Sequence, residues 1–167
     1  LSSKNYLGFK TLFDICDVQS KPNVYHIGYL LGPRINAGGR VGKSSHGANL
    51  LISKDPKDVF KIASELDKFN KERQILEREV LDKTLVGLGS RINESLIIID
   101  GKNWHEGVIG IVASKIKDKF NKPVIIISVD ENGIGKASAR SIVGFDIGSV
   151  MISAVQENIL VKGGGHK

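Results

Sequence analysis

Leu96-Ile97-Ile98-Ile99-Asp100-Gly101 and Pro123-Val124-Ile125-Ile126-Ile127 bracket residues 108–120, and the reading of this stretch decides the fold. Each end is a short, unbroken apolar run rich in isoleucine and closed off by turn-forming residues, the pattern of a strand buried on both faces. The segment between them reads as a helix. Its lysines, Lys115, Lys117 and Lys119, come late, where a helix dipole favours cations. Strand, helix and strand with continuous apolar strands imply a largely parallel, covered sheet. Asp130-Glu131-Asn132-Gly133 is a turn signal, residues 135–141 read as a third strand and residues 147–158 as a helix. The expected class is α/β: a small mixed, largely parallel sheet flanked by helices and preceded by a long connector helix.

Upstream, Asp55-Pro56 supplies an N-cap followed by proline at the first helical position. Val59, Ile62, Leu66, Phe69, Leu76 and Val80 recur mostly at threes and fours, whereas Lys61, Glu65, Lys68, Glu72 and Glu79 occupy other faces. A helix over residues 56–85 would be roughly 45 Å long at ~1.5 Å per residue, longer than a small domain needs, so it is read as a link between two domains. Gly87, Gly89 and Ser90 end it. Residues 48–52 suit a short helix, and Tyr6, Leu7, Phe9, Leu12, Phe13 and Ile15 another. Residues 32–42 read as an irregular loop carrying Arg34 and Arg40, because Pro33 lacks a donor and Gly38, Gly39 and Gly42 favour turns.

The chain has 167 residues, 41% of them hydrophobic, enough for a real core and against a disordered tail. It begins at Leu1 without methionine and ends just after a glycine run, so the expectation is a piece of a longer protein. One cysteine, Cys16, cannot form an internal disulfide, and no apolar run approaches the roughly 18 residues that cross a bilayer. Those two features point to a reducing, cytoplasmic setting and no membrane. The net charge of +6 is uneven: residues 1–48 hold Lys4, Lys10, Lys21, Arg34, Arg40 and Lys43 against Asp14 and Asp17. A basic segment favours a polyanionic partner, although such a charge is also common in ordinary cytosolic proteins.

Ala37-Gly38-Gly39-Arg40-Val41-Gly42-Lys43-Ser44 fits a relaxed phosphate-loop pattern, with Leu96-Ile97-Ile98-Ile99-Asp100 as a metal-binding strand. A phosphate cradle needs a strand feeding the loop and a helix starting at it. Pro33 and Asn36 stand before the pattern, and Asp55-Pro56 interrupts the helix after it, so an NTPase is disfavoured. His105-Glu106 is half of a zinc-protease motif, but position 109 is Ile where a second His would complete the helical pair. His26, His46, His105 and His166 are scattered, and no metal site is expected in these residues. Ser138-Ala139-Arg140-Ser141 groups two hydroxyls with a guanidinium, a set able to hold a phosphate, or simply the solvent face of a strand. Gly163-Gly164-Gly165-His166 reads equally as an anion-binding nest or a flexible turn.

Four stretches in order resemble the RecJ family of single-strand-specific DNA exonucleases: residues 32–40 (GPRINAGGR), 104–115 (WHEGVIGIVASK), 138–142 (SARSI) and 164–166 (GGH). The resemblance covers essentially the whole chain, including the connector with Asn70 and Arg73-Gln74. It implies three parts: residues 1–47 as the remnant of a DHH domain with the arginine loop, 48–92 as the connector helix, and 93–167 as a DHH-associated domain incomplete at its C-terminus. In such enzymes the DHH domain binds divalent metal, Mn or Mg, for two-metal hydrolysis of DNA from the 5′ end, in repair and recombination. No Asp-His-His triplet occurs here, so residues 1–167 alone are expected to be inactive.

By the same resemblance Ser138 and Arg140, with Ser141, match a phosphate-contacting motif, Arg34 or Arg40 holds backbone phosphates, and His166 faces the inter-domain cleft. The implied partners are single-stranded DNA and the N-terminal DHH domain. Gly38 stands where the family usually has alanine, and Ala137 and Ala139 where it often has glycine. Two other classes compete: a DHH-type phosphodiesterase of oligonucleotides or cyclic dinucleotides, and a plain nucleic-acid-binding module like that attached to some tRNA ligases. The Gly-Pro-Arg stretch and Trp104-His105 favour the exonuclease family over both, and Trp104 is expected to pack rather than to stack on bases.

Overall fold

The computed structural model describes residues 6–165. The chain divides into two compact units, Leu1–Leu76 and Glu77–Lys167. The first contains α1 (Leu7–Ile15), a π-helical turn (His26–Leu31) running directly into α2 (Gly32–Val41), α3 (His46–Ile52) and the first part of α4 (Pro56–Leu88). Its core is Leu12, Leu31, Leu50, Val59, Ala63 and Leu66, all fully buried. Asp55 starts α4 as its sequence promised: its carboxylate accepts from the Lys57 amide at 2.8 Å, and its carbonyl from the Val59 amide at 2.9 Å.

Residues 32–41 are helical, which overturns the irregular-loop reading of the arginine stretch. Pro33 falls in the first turn of α2, where a missing N–H costs nothing, and the wider π turn before it carries the Gly32 amide to the Ile27 carbonyl. The glycines serve close approach rather than a turn. A Cβ on Gly38 would lie 2.8 Å from the Lys43 carbonyl oxygen and 3.2 Å from Leu66, and one on Gly42 would strike the Phe69 ring at 2.5 Å. Gly38, inside α2, weakens the helix by about 1 kcal/mol relative to alanine, and the packing it admits offsets that cost.

The second unit holds the rest of α4, a 3-10 turn (Gly89–Asn93), β1 (Ile97–Lys102), α5 (Glu106–Phe120), β2 (Val124–Val129), β3 (Gly135–Arg140) and α6 (Ile147–Gln156). The sheet order is β1-β2-β3, with β1 and β2 parallel and β3 antiparallel to β2. The expected α/β class is therefore realised with a mixed sheet, its parallel half being the strand–helix–strand unit. Ile97, Ile99, Val124 and Ile126 are buried, as are Val108, Ile109, Val112, Ala113 and Ile116 of α5, the helix that packs on β2 and β3. Asn121, at φ 49°, stops α5 in the left-handed conformation that asparagine tolerates, and Gly89, at φ 43°, ends α4 in the same way.

Trp104 is 8% exposed, and the Ser128 hydroxyl donates to its carbonyl at 2.6 Å. Its indole lies against Gly101 so closely that a Cβ there would meet the ring at 2.1 Å. It packs rather than presenting a platform. Gly101→Ala should therefore force the indole out of its seat at a cost of roughly 1–3 kcal/mol. The check is urea unfolding tracked by the emission of this single tryptophan, with a lower midpoint and a red-shifted native spectrum expected.

Candidate nucleic-acid interface

Antiparallel pairing of β3 with β2 sets Arg140 opposite Val124 and Ser138 opposite Ile126. Residues two apart on a strand share a face, so both polar side chains leave the sheet on the side where Val124 and Ile126 meet α5. There Arg140 is held twice: its Nε donates to the Ser114 hydroxyl oxygen at 2.9 Å, and its Nη1 to the Ala139 carbonyl at 2.9 Å. Ser114 in turn donates to the Gly110 carbonyl one helical turn back, at 3.1 Å. Arg140 remains exposed and Ser138 half-buried. The result is a guanidinium and a hydroxyl side by side at the open edge of the sheet, a pair suited to one phosphate group.

The other expected site residues are placed differently. Ser141, just beyond β3, donates its one hydroxyl proton to the Phe145 carbonyl and thereby closes its own turn. Arg34, in α2, is turned inward: Nε donates to Asp67 Oδ1 at 2.8 Å and Nη1 to the Leu30 carbonyl at 2.9 Å, with the Arg34 and Asp67 side chains 16% and 11% exposed. Arg40 is exposed in the last turn of α2. His166 lies outside the described residues. Ser114 and Gly110 belong to the Trp104–Lys115 stretch but not to the expected site, and they complete the Arg140 cluster; their spacing of four along one helix was the available signal.

The described histidines do structural work. His105 caps α5 by accepting from the Gly107 amide at 3.1 Å. His26 accepts from the Asn23 amide at 3.1 Å, and His46, buried against Phe69, meets Glu65 Oε2 at 2.5 Å. That contact with His46, more than any other, draws the Glu65 carboxyl below its ordinary value. Ile109 is buried in α5, so the half zinc motif leads nowhere. Residues 37–41 are helix, not the loop a phosphate cradle requires. Among the described residues no group of three or more His, Cys, Asp or Glu is placed to hold a metal ion, so the donors that divalent-metal hydrolysis needs do not fit here. Among the described residues no helix is long and apolar enough to cross a membrane. Burial pushes the Cys16 thiol above its usual value against the pull of Arg34, which makes it a poor nucleophile.

With this geometry in view, residues 93–167 match the DHHA1 domain family, which places the class as an α/β DHHA1-domain protein. Across 99% of the chain it is 35% identical to the single-stranded-DNA-specific exonuclease RecJ of Bacillus subtilis, and across 95% it is 32% identical to the Escherichia coli RecJ. The crystal structure of RecJ from Thermus thermophilus in complex with Mg2+ superposes over 99% of the chain, and over 25% of its own, with a TM-score of 0.83 at 28% identity. A second RecJ crystal structure, bound to manganese, matches with a TM-score of 0.81. The chain belongs to the RecJ family. It spans 21% of the length of the Bacillus relative and 29% of the Escherichia one.

Asp67 is the most constrained acid of the first unit. Burial alone would raise its pKa, but hydrogen bonds from Lys71 and Arg34 outweigh burial and hold the carboxyl below its ordinary value. A depressed folded-state pKa stabilises fully above the unfolded value of about 3.9, and the contribution drains as pH falls through the lower folded value. Asp67→Asn should lower stability by roughly 2 kcal/mol at pH 7, as read by guanidinium unfolding. The gap between variant and parent should close as the solution is acidified below pH ~4.

Proposed function

We propose that this chain is the nucleic-acid-gripping part of a 5′-to-3′ single-stranded-DNA exonuclease, in which Ser138 and Arg140 bind a backbone phosphate and position the strand for cutting elsewhere. One observation carries the reading: Arg140 is fixed by hydrogen bonds to Ser114 and Ala139 yet stays exposed beside Ser138. An arginine ordered in advance loses less entropy on binding. Kinship with RecJ exonucleases supports the substrate class.

In this reading residues 93–167 form the DHH-associated domain, residues 48–92 the connector and residues 1–47 the edge of a DHH domain. The hydrolytic Mn or Mg ions sit on that DHH domain, a reading supported by the Mg2+ and manganese of the similar RecJ crystal structures. Arg40 is the better phosphate contact of the two α2 arginines, because Arg34 is committed to Asp67. Ser141 shapes the turn just beyond Arg140, and His166 is assigned as a further phosphate contact. The protein works in the cytoplasm, in DNA repair and recombination.

Phosphate contacts position a strand without reading bases, and they release counterions. The chain should therefore bind oligothymidylate and oligodeoxyadenylate alike, with affinity falling steeply as salt rises. Arg140→Ala should weaken binding roughly tenfold or more and reduce the salt slope by about one phosphate contact, measured by fluorescence anisotropy. Incubated with Mn2+ and a 5′-labelled strand, residues 1–167 should release no nucleotides. Preference for a cyclic dinucleotide over a long single strand would overturn the substrate class.

A further inference from the structure

Arg140 has three guanidinium nitrogens, of which Nε and Nη1 end on Ser114 and Ala139. The third, Nη2, rests over Gly110. A Cβ built on Gly110 would lie 3.1 Å from Nη2 and 2.9 Å from Ser138 Oγ, which puts those two donors within about 6 Å of each other across the bare backbone of α5. One phosphate, accepting on two oxygens at hydrogen-bond lengths of roughly 2.8 Å, spans that separation. Ser114 sits one turn along the same helix. Because its proton goes to the Gly110 carbonyl, only its lone pairs face Arg140, so the hydroxyl is an acceptor of fixed direction.

We infer that Gly110 and Ser114 are positioning residues for the phosphate site: Gly110 leaves the space in which Ser138 and Arg140 converge, and Ser114 sets the plane of the guanidinium. The inference rests on the reading of Ser138 and Arg140 as phosphate ligands. Neither residue touches the ligand. Their effect passes through Arg140 and Ser138, and it separates binding from stability in an unusual direction. The atoms nearest the added Cβ of Gly110→Ala are the tips of two side chains at a half-open surface, which yield easily, while alanine raises helix propensity. A stronger fold should thus accompany a weaker grip.

The test is anisotropy of a short labelled oligothymidylate with the chain at low salt, together with thermal unfolding of every variant. Gly110→Ala and Ser114→Ala should each weaken binding roughly five- to tenfold, the scale of one ordinary hydrogen bond. Gly110→Ala should melt no lower than the parent, and Ser114→Thr, which keeps the hydroxyl, should restore binding. Placed in a Ser138→Ala/Arg140→Ala background, neither Gly110→Ala nor Ser114→Ala should weaken binding further, because the groups they position are gone. Full additivity in that background, or parental affinity for Gly110→Ala, would overturn the inference while leaving the phosphate site intact. If Arg140→Ala itself bound as tightly as the parent, the reading of the phosphate site would fail instead.

Discussion

The second unit depends on how α5 covers one face of a three-stranded sheet. Ile97, Ile99, Val124 and Ile126 are fully or almost fully buried, as are Val108, Val112 and Ile116 of the helix. Each such side chain contributes about 1.5–3 kcal/mol by leaving water, so the register of β1 against β2, and of β2 beneath α5, is strongly specified. β3 has no comparable apolar run of its own. It borrows its register from β2, and that register alone decides which of its side chains reach α5. A slip of one residue would turn Ala137 and Ala139 to the helix and send Ser138 and Arg140 to the opposite face. A polar site at the sheet edge is thus held in place by an apolar core that contains none of its atoms.

The same reasoning explains what the sequence made legible. The isoleucine runs, the Asp55-Pro56 start and the stop at Gly89 are local signals, each satisfied within a few residues, and the structure realises all three. The arginine stretch was misread because its glycines answer to distant partners: Gly38 to the Lys43 carbonyl and Leu66, Gly42 to Phe69. Pro33 and four glycines in eleven residues look like a breaker until those partners are in place. The buried polar residues of α4 escaped the periodicity reading for a similar reason. Asp67, Asn70 and Glu77 are buried, although the apolar stripe read from the sequence included none of them. Asp67 meets Arg34, and Glu77 meets Lys115 at 2.5 Å.

Those pairings also revise what net charge means in this chain. The basic excess of residues 1–48 suggested a surface for polyanions, but Arg34 is matched by Asp67 and turned away from solvent. In the second unit Lys136 is paired with Glu106 at 2.8 Å, and that carboxylate is the main reason its pKa is raised. Counting cations therefore overstates the field available to a ligand. What distinguishes Arg140 is the nature of its partners. A serine oxygen and a backbone carbonyl fix its direction without neutralising its charge.

That difference bears on the proposed division of labour. An arginine ion-paired with a carboxylate must give up that partner before it can meet a phosphate, and the exchange gains little, because one anion replaces another. An arginine oriented by neutral acceptors keeps its full charge for the ligand while losing most of its rotational freedom beforehand. Such a group can hold successive phosphates of a sliding strand equally well, since it asks nothing of the base and changes no protonation state. Hydrolysis has the opposite needs: several convergent carboxylates and imidazoles whose combined charge captures divalent ions. Carboxylates gathered beside Arg140 would compete with the phosphate for its guanidinium. Grip and cut are thus best built from different residues on different elements, and the proposed function gives the described part of this chain the first.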